Sequence, residues 1–260
     1  MNKTIRFCIA VFALAAFHPM SSAYALSGRQ VYEKVHALMT WALDHEMKVT
    51  LVLFDKDAGT RTRTLVSYGK KGGGDAYQVL AVFRTPPDLK GVGFLVHARS
   101  FADRDLWAYF PAFNRIRRIP TNSEDDSFFG TDFSYDDFGG PSNLDDYSFH
   151  ILREEPIDGK SCYVVEVTPK IHRKFTKYVA WVAKDIWIQM KVEYYQGDRV
   201  YREGSFSDIR TVQSIPTSFK GYMKSMKTGH KTEYRLDSVQ YQTNFPDAMF
   251  TQMSLERQGQ

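Results

Sequence analysis

The segment "SFFGTDFSYDDFGG", Ser127 to Gly140, sets Asp132, Asp136 and Asp137 among four phenylalanines and a tyrosine, with glycines at both ends. Carboxylates so grouped could hold a cation or serve as a general acid and base. The spacing matches no EF-hand loop, which needs a terminal glutamate, and no partner motif for acid–base work accompanies it. Asp and Ser beside glycines also bond their own backbone and fix turns. Three readings stand side by side: a pinned turn, a binding surface, and catalysis or a metal site.

Other chemistry-bearing residues are scattered. The histidines after residue 25 stand at 36, 45, 97, 150, 172 and 230, with no tight ligand spacing, and there is no cysteine pair, so zinc has weak support. Gly159-Lys160-Ser161 has the ending of a phosphate loop, but Glu154 occupies the position of the required first glycine. Gly72 to Gly74 make no dinucleotide fingerprint, because Tyr77 stands at its last glycine. Ser161 lacks the second glycine of a nucleophile elbow. No catalytic residue, metal or cofactor is expected. Arg115, Arg117 and Arg118 could grip an anionic head group as guanidinium forks, and they equally suit an edge strand guarded by charge. Cys162 reads as a small buried hydrophobe in a strand.

These residues need a scaffold, and the pattern predicts strands. Ser27 to about Asp44 reads as one helix: Ser27 and Gln30 form a capping box, and Val31, Val35, Leu38 and Ala42 make one stripe. Strands are expected at 48–54, 62–68, 77–84, 93–98, 105–110, 148–152, 163–168 and 178–182, with a further strand after Gln196-Gly197-Asp198. Ile186 to Tyr195 alternates most clearly, with Ile188, Met190, Val192 and Tyr194 on one face and Trp187, Gln189, Lys191 and Glu193 on the other. Residues 219–227 and 232–241 form a hairpin about Thr228-Gly229-His230, and the tail docks Phe250. The total is about ten consecutive antiparallel strands after one helix, without βαβ alternation. That fold class is mainly β (α+β): a large curved sheet, closed or half open with helices across its mouth. Aromatic residues make up 15% of the chain, as in a β protein with a large core or a ring-lined cavity.

The first 25 residues read as a signal peptide: Lys3 and Arg6, the apolar run Phe7 to Phe17, then Ala23-Tyr24-Ala25 at the cleavage point. The mature chain is expected in the periplasm, without a lipid anchor, since Cys8 lies inside the apolar run. Its formal charge falls from +4 to +2, because Lys3 and Arg6 leave and no acid does. Nothing global argues for nucleic acid.

Four stretches carry a family resemblance: "DLWAYFPAFNRIRRIP", "SFFGTDFSYDD", "WVAKDIWIQMKVEYYQGD" and "YRLDSVQYQTNFPDAMFT". Trp107, Tyr109 and Pro111 match an aromatic strand ending in proline, and Arg115 to Arg118 the basic strand after it. Phe128, Gly130, Thr131, Asp132, Phe133, Ser134, Tyr135 and Asp137 match its most specific block, and Pro246, Asp247, Phe250 and Thr251 its final strand end. The chain resembles the outer-membrane lipoprotein-sorting family, LolA-like periplasmic proteins of the TP-0789-domain type. The resemblance implies a LolA/LppX-like half-open β-barrel over residues 26–260, with helices over its concave side, carrying a lipid or lipoprotein acyl chains. It also implies an RND-superfamily transporter as partner. In that setting Ile188, Met190, Val192, Tyr194, Phe219 and Met223 are candidate cavity-wall residues, and Arg115, Arg117 and Arg118 candidate head-group residues. Gly130, Asp132, Phe133, Tyr135 and Asp137 become structural, with Asp132 at least partly buried on backbone N–H groups. The rivals are a non-carrying accessory subunit of such a transporter and an envelope enzyme using the acidic block around Asp132.

Overall fold

A computed structural model describes residues 26–55 and 59–258. The expected signal peptide lies outside these residues.

The N-terminal helix α1 (Gly28–Trp41) starts at the expected capping box: Gln30 N–H donates to Ser27 Oγ at 3.2 Å, and Ser27 N–H to Gln30 Oε1 at 2.8 Å. Two orphan backbone donors are thereby satisfied, which fixes where the helix begins.

Among the described residues the chain then forms thirteen strands, where the sequence suggested about ten. The first arm is β1 (His45–Asp55), β2 (Gly59–Lys71), β3 (Tyr77–Thr85), β4 (Gly93–Ser100), β5 (Asp103–Phe110) and β6 (Arg115–Ile119). The second is β7 (Tyr147–Ile157), β8 (Lys160–Pro169), β9 (Lys177–Ala183), β10 (Gln189–Gln196), β11 (Arg199–Val212), β12 (Ile215–Ser225) and β13 (Lys231–Tyr241). Each strand in an arm pairs antiparallel with its chain neighbour, and β1 pairs with β13, giving the order β6-β5-β4-β3-β2-β1-β13-β12-β11-β10-β9-β8-β7. Strand-forming sequence is continuous through these hairpins. At the β7–β8 turn, for example, Asp158 and Gly159 both take positive φ, 48° and 77°, as an Asp-Gly hairpin turn requires.

The two edges, β6 and β7, are consecutive in the chain, so residues 120–146 must travel from one edge to the other. This strap includes the one-turn helix α2 (Tyr135–Phe138). Its Phe128 packs on Phe83 and Phe94, its Gly139 carbonyl accepts from Tyr77 Oη at 2.8 Å, and Asp132 N–H donates to Thr232 Oγ1 at 3.1 Å. One segment can touch β3, β4 and β13 together only if the sheet curves round it. The sheet is therefore a curved, open antiparallel half-barrel, as the family resemblance implied, with the strap inside its concavity.

The main core lies between strap and sheet and includes Leu51, Leu53, Phe94 and Phe128, all at 0% exposure. The outer face of β3–β5 is covered by the tail: Phe250 and Leu255 of the last turn and α3 (Gln252–Gln258) pack on Leu80, Val82 and Leu95. With both faces covered, β3 is buried almost end to end. No helix of the described residues is long and apolar enough to cross a membrane.

The Ile186–Tyr195 strand needs correction. Regular pairing starts at Gln189, because Lys184 to Ile186 form a turn, after which Trp187 takes φ 58° and Ala183 N–H bonds Ile188 O at 2.9 Å. The β9–β10 register then shifts between Gln189 and Lys191. Such a bulge turns the residues on its two sides to opposite faces, so the alternation read from sequence does not hold across Met190.

Candidate functional site

α1, the strap and strands β1 and β9–β13 enclose a cavity of about 470 Å³, within the usual range for small-molecule sites. Its apolar wall includes Leu38 of α1, Val49 of β1, Val192 of β10, Met223 of β12 and Leu236 of β13. α1 contributes its helical stripe in two parts. Val31 packs on Val165 and Val167 of the second arm, Val35 meets both that cluster and the cavity, and Leu38, Met39 and the C-cap Ala42 line the cavity.

Of the six residues expected in the wall, Ile188, Val192, Tyr194 and Met223 line the cavity. Met190 does not. The bulge turns it to the other face, among Cys162, Val164, Val179 and Trp181. Phe219 does not either: it packs against the main core with the Arg210 guanidinium 4.4 Å above its ring. The supposed wet face of β10 instead supplies Trp187 and Gln189 to the lining, and Gln189 Nε2 donates to Tyr32 Oη at 3.2 Å.

One part of the lining is charged. Asp125, Asp136 and Asp137 of the strap and Arg202 of β11 all reach the cavity. Arg104 of β5 donates through Nη2 to Glu124 Oε2 at 2.6 Å and to Asp136. Arg173, from the β8–β9 loop, lies 3.5 Å from Asp125, 3.7 Å from Glu124 and 3.8 Å from Asp136. Arg202 Nη1 donates to Asp137 Oδ2 at 2.9 Å and stacks 4.0 Å above the Tyr194 ring. Burial alone would raise the pKa of Asp136, but Arg104 and Arg173 outweigh it and hold the carboxyl below its usual range. At Asp125 burial wins over the Lys174 N–H and Arg173, and its pKa rises. Burial also pushes up the hydroxyls of Tyr32, Tyr178 and Tyr194, so this aromatic wall stays neutral. The network ties the strap to both arms at once.

The remaining block residues follow the same logic. Asp137 closes a second capping box, with Ser134 N–H on its Oδ2 at 2.7 Å and its own N–H on Ser134 Oγ at 3.2 Å. Gly130 takes φ 78°, and Phe128 and Phe133 are buried. Asp132 is largely buried, but its partners differ from those expected. Its Oδ2 meets Thr232 Oγ1 at 2.7 Å and His230 Nδ1 at 2.5 Å, so it bonds side chains of the β12–β13 hairpin and not backbone N–H groups. Among the described residues no group of three His, Cys, Asp or Glu side chains is placed to hold a metal ion.

Sequence reasoning missed Arg104, Arg173, Arg202, Glu124 and His230. Each is a single charged residue in its own segment, and only the folded strap brings them together. Arg115, Arg117 and Arg118 stay apart from the cavity. They lie on β6, the sheet edge, where Arg118 Nε donates to Asp105 Oδ1 at 2.9 Å.

A family model described as that of an uncharacterized protein matches residues 75–257. No curated protein matches the chain. A solved domain assigned to outer membrane lipoprotein sorting, from Vibrio parahaemolyticus, superposes with a TM-score of 0.82 at 24% identity, covering 88% of this chain and 98% of that one. A DUF1329 family protein from Desulfovibrio piger gives 0.79 at 27% identity, covering 89% and 100%. A LolA superfamily protein from Nitrosomonas europaea gives 0.69 at 19% identity, covering 88% and 99%.

Proposed function

The chain belongs to the family whose model matches residues 75–257 and shares its fold with a solved lipoprotein-sorting domain and a LolA superfamily protein, and from that premise we propose that it is a carrier that shields a lipid, or the acyl chains of a lipoprotein, in its half-barrel. The observation that carries this reading is the cavity of about 470 Å³ between α1, the strap and the second arm. Its wall is aliphatic and aromatic, and its few charged groups are gathered on one side, as an amphiphile with an apolar tail and a polar head requires. The charged groups inside it are already engaged with one another, and carrying a lipid needs no bond-making step.

The reading extends to the setting. Residues 1–25 direct the chain to the periplasm, residues 26–260 act as one carrier domain, and an RND-superfamily transporter exchanges the cargo. Crosslinking in the native envelope tests that partner, and recovery of no such transporter counts against it.

The cargo itself is tested by extracting lipid from protein purified from its native envelope. Near-stoichiometric amphiphile is expected by mass spectrometry. Met223→Trp should narrow the cavity beside Val192 and cut bound amphiphile, at an overpacking cost of about 1–3 kcal/mol, since Met223 lines the cavity. Wild-type protein that never holds an amphiphile, from any envelope fraction, overturns the carrier reading.

A further inference from the structure

The β5–β6 turn carries a surface that the cavity does not explain. Pro111–Phe113 makes one 3₁₀ turn, Asn114 reverses the chain at φ 44°, and β6 runs back as the edge of the sheet. Phe113 is 78% exposed, more than any other large apolar side chain among the described residues. With Phe110 it walls a recess of about 450 Å³ whose other lining residues are Arg115 and Arg117. Both arginines are exposed, and neither side chain has a partner among the described residues, whereas Arg118 is held by Asp105. An edge strand needs charge to repel other strands. It does not need a bare phenyl ring between the charges.

The strand registers extend this surface. Phe110 faces Arg115, Gly93 faces Tyr109, Thr64 faces Thr85 and Asp55 faces Gly59. Arg61 of β2 and Lys90 of the β3–β4 turn therefore lie at the same end of the sheet. Among the described residues the acids there include Asp55, 4.0 Å from Arg61, the exposed Asp88, and Glu233, 2.7 Å from Lys231 Nζ. Phe54 faces Lys231, so the β12–β13 hairpin tip is at this end too, with Met226 and Lys227 exposed. Arg115, Arg117, Lys90 and Lys227, none in an ion pair among the described residues, thus share one rim with the protruding Phe113 and Met226.

We propose that this rim docks the protein on a bilayer of anionic phospholipid, with Phe113 entering the head-group layer and Arg115 and Arg117 taking phosphate oxygens. Guanidinium groups match phosphate as a fork, and an aromatic ring beside a basic residue suits the membrane–water interface. A fluid array of phosphates can meet cations spread along a rim, whereas a folded acidic partner would need a groove shaped to it. The inference does not depend on what fills the main cavity.

The test is co-sedimentation of the protein lacking residues 1–25 with vesicles of phosphatidylcholine alone or mixed with phosphatidylglycerol. Binding is expected only to the mixed vesicles, falling as salt rises. Each basic residue near an anionic surface contributes about fivefold in affinity, so the Arg115→Gln/Arg117→Gln double variant should bind about 25-fold more weakly. Phe113→Ser should weaken binding while leaving its salt dependence unchanged. Met223→Trp should bind vesicles like wild type, which separates this surface from the cavity. Equal binding by the arginine variant and wild type overturns the proposal. So does absence of wild-type binding at low salt, including the case in which the same arginines prove to hold an acidic protein.

Discussion

Arg104 and Asp136 form the most consequential side-chain pair in the strap. The arginine is shared between Glu124 and Asp136, with only 7% of its side chain exposed. Replacing one partner leaves the other charge buried and uncompensated, at a typical cost of about 3–5 kcal/mol. Asp136→Asn should therefore lower unfolding stability at pH 7 by about 3 kcal/mol, read from urea midpoints. The pH dependence has a defined sign. Asp136 has a depressed pKa in the folded state, so its contribution is present above the unfolded carboxyl value of about 3.9 and is lost as pH falls through the folded value. Asp125 has a raised pKa and acts oppositely: its contribution is present at low pH and is lost as pH rises through its folded value. The wild type should thus lose stability on acidification, and Asp136→Asn should flatten that loss. Parallel pH profiles for the two proteins would show that the Arg104–Asp136 pair is not what the acid limb reports.

The strap is a long connection that gains order from turn chemistry. Gly130 and Gly140 both take positive φ, 78° and 87°, but their surroundings differ. A Cβ at Gly130 meets nothing within 4 Å, whereas one at Gly140 would lie 2.7 Å from Tyr77 Cε2. Gly130→Ala should cost only the left-handed backbone term, about 1 kcal/mol. Gly140→Ala should cost clearly more in the same thermal melts, because Tyr77 is 1% exposed and anchored to the strap through its hydroxyl. Equal losses would mean that the Tyr77 anchor carries little. The sequence already marked this block as unusual, since glycines, Ser and Asp amid aromatics have turn chemistry written into them. It also held a signal that went unread: Ser134-Tyr135-Asp136-Asp137 has the spacing of a capping box. The reversal at Met190 had no local signal at all. It depends on how Gln189 and Lys191 register against β9, a property of two strands together. The arginines of the network were equally invisible, because their partners are many residues away in the chain.

Taken as one body, the protein is two arms of sheet meeting at the β1–β13 seam and tied across the front by the strap. The hairpin order within each arm was legible from turn residues such as Asp158-Gly159 and Gly197-Asp198. The seam was not, since nothing in β1 names a partner some 180 residues later in the chain. A ligand that fills the cavity touches α1, the strap and the second arm together, so it should stabilise all three by mass action, by about 2.7 kcal/mol at a hundredfold excess over its dissociation constant. Stripping bound amphiphile should accordingly lower the melting temperature, and adding it back should restore it. An unchanged melt after exhaustive delipidation would place any bound lipid outside the cavity.

The seam also sets an order of events during synthesis. β1 holds Val49-Thr50-Leu51-Val52-Leu53-Phe54 and is destined for the middle of the sheet, with Leu51 and Leu53 fully buried. Its partner β13 is the last strand of this sheet to be made among the described residues. Until then β1 is an exposed, apolar edge of the kind that recruits other chains. The half-barrel can be completed only once β13 has been made, so the unfinished chain, more than the finished one, is where aggregation has to be held off.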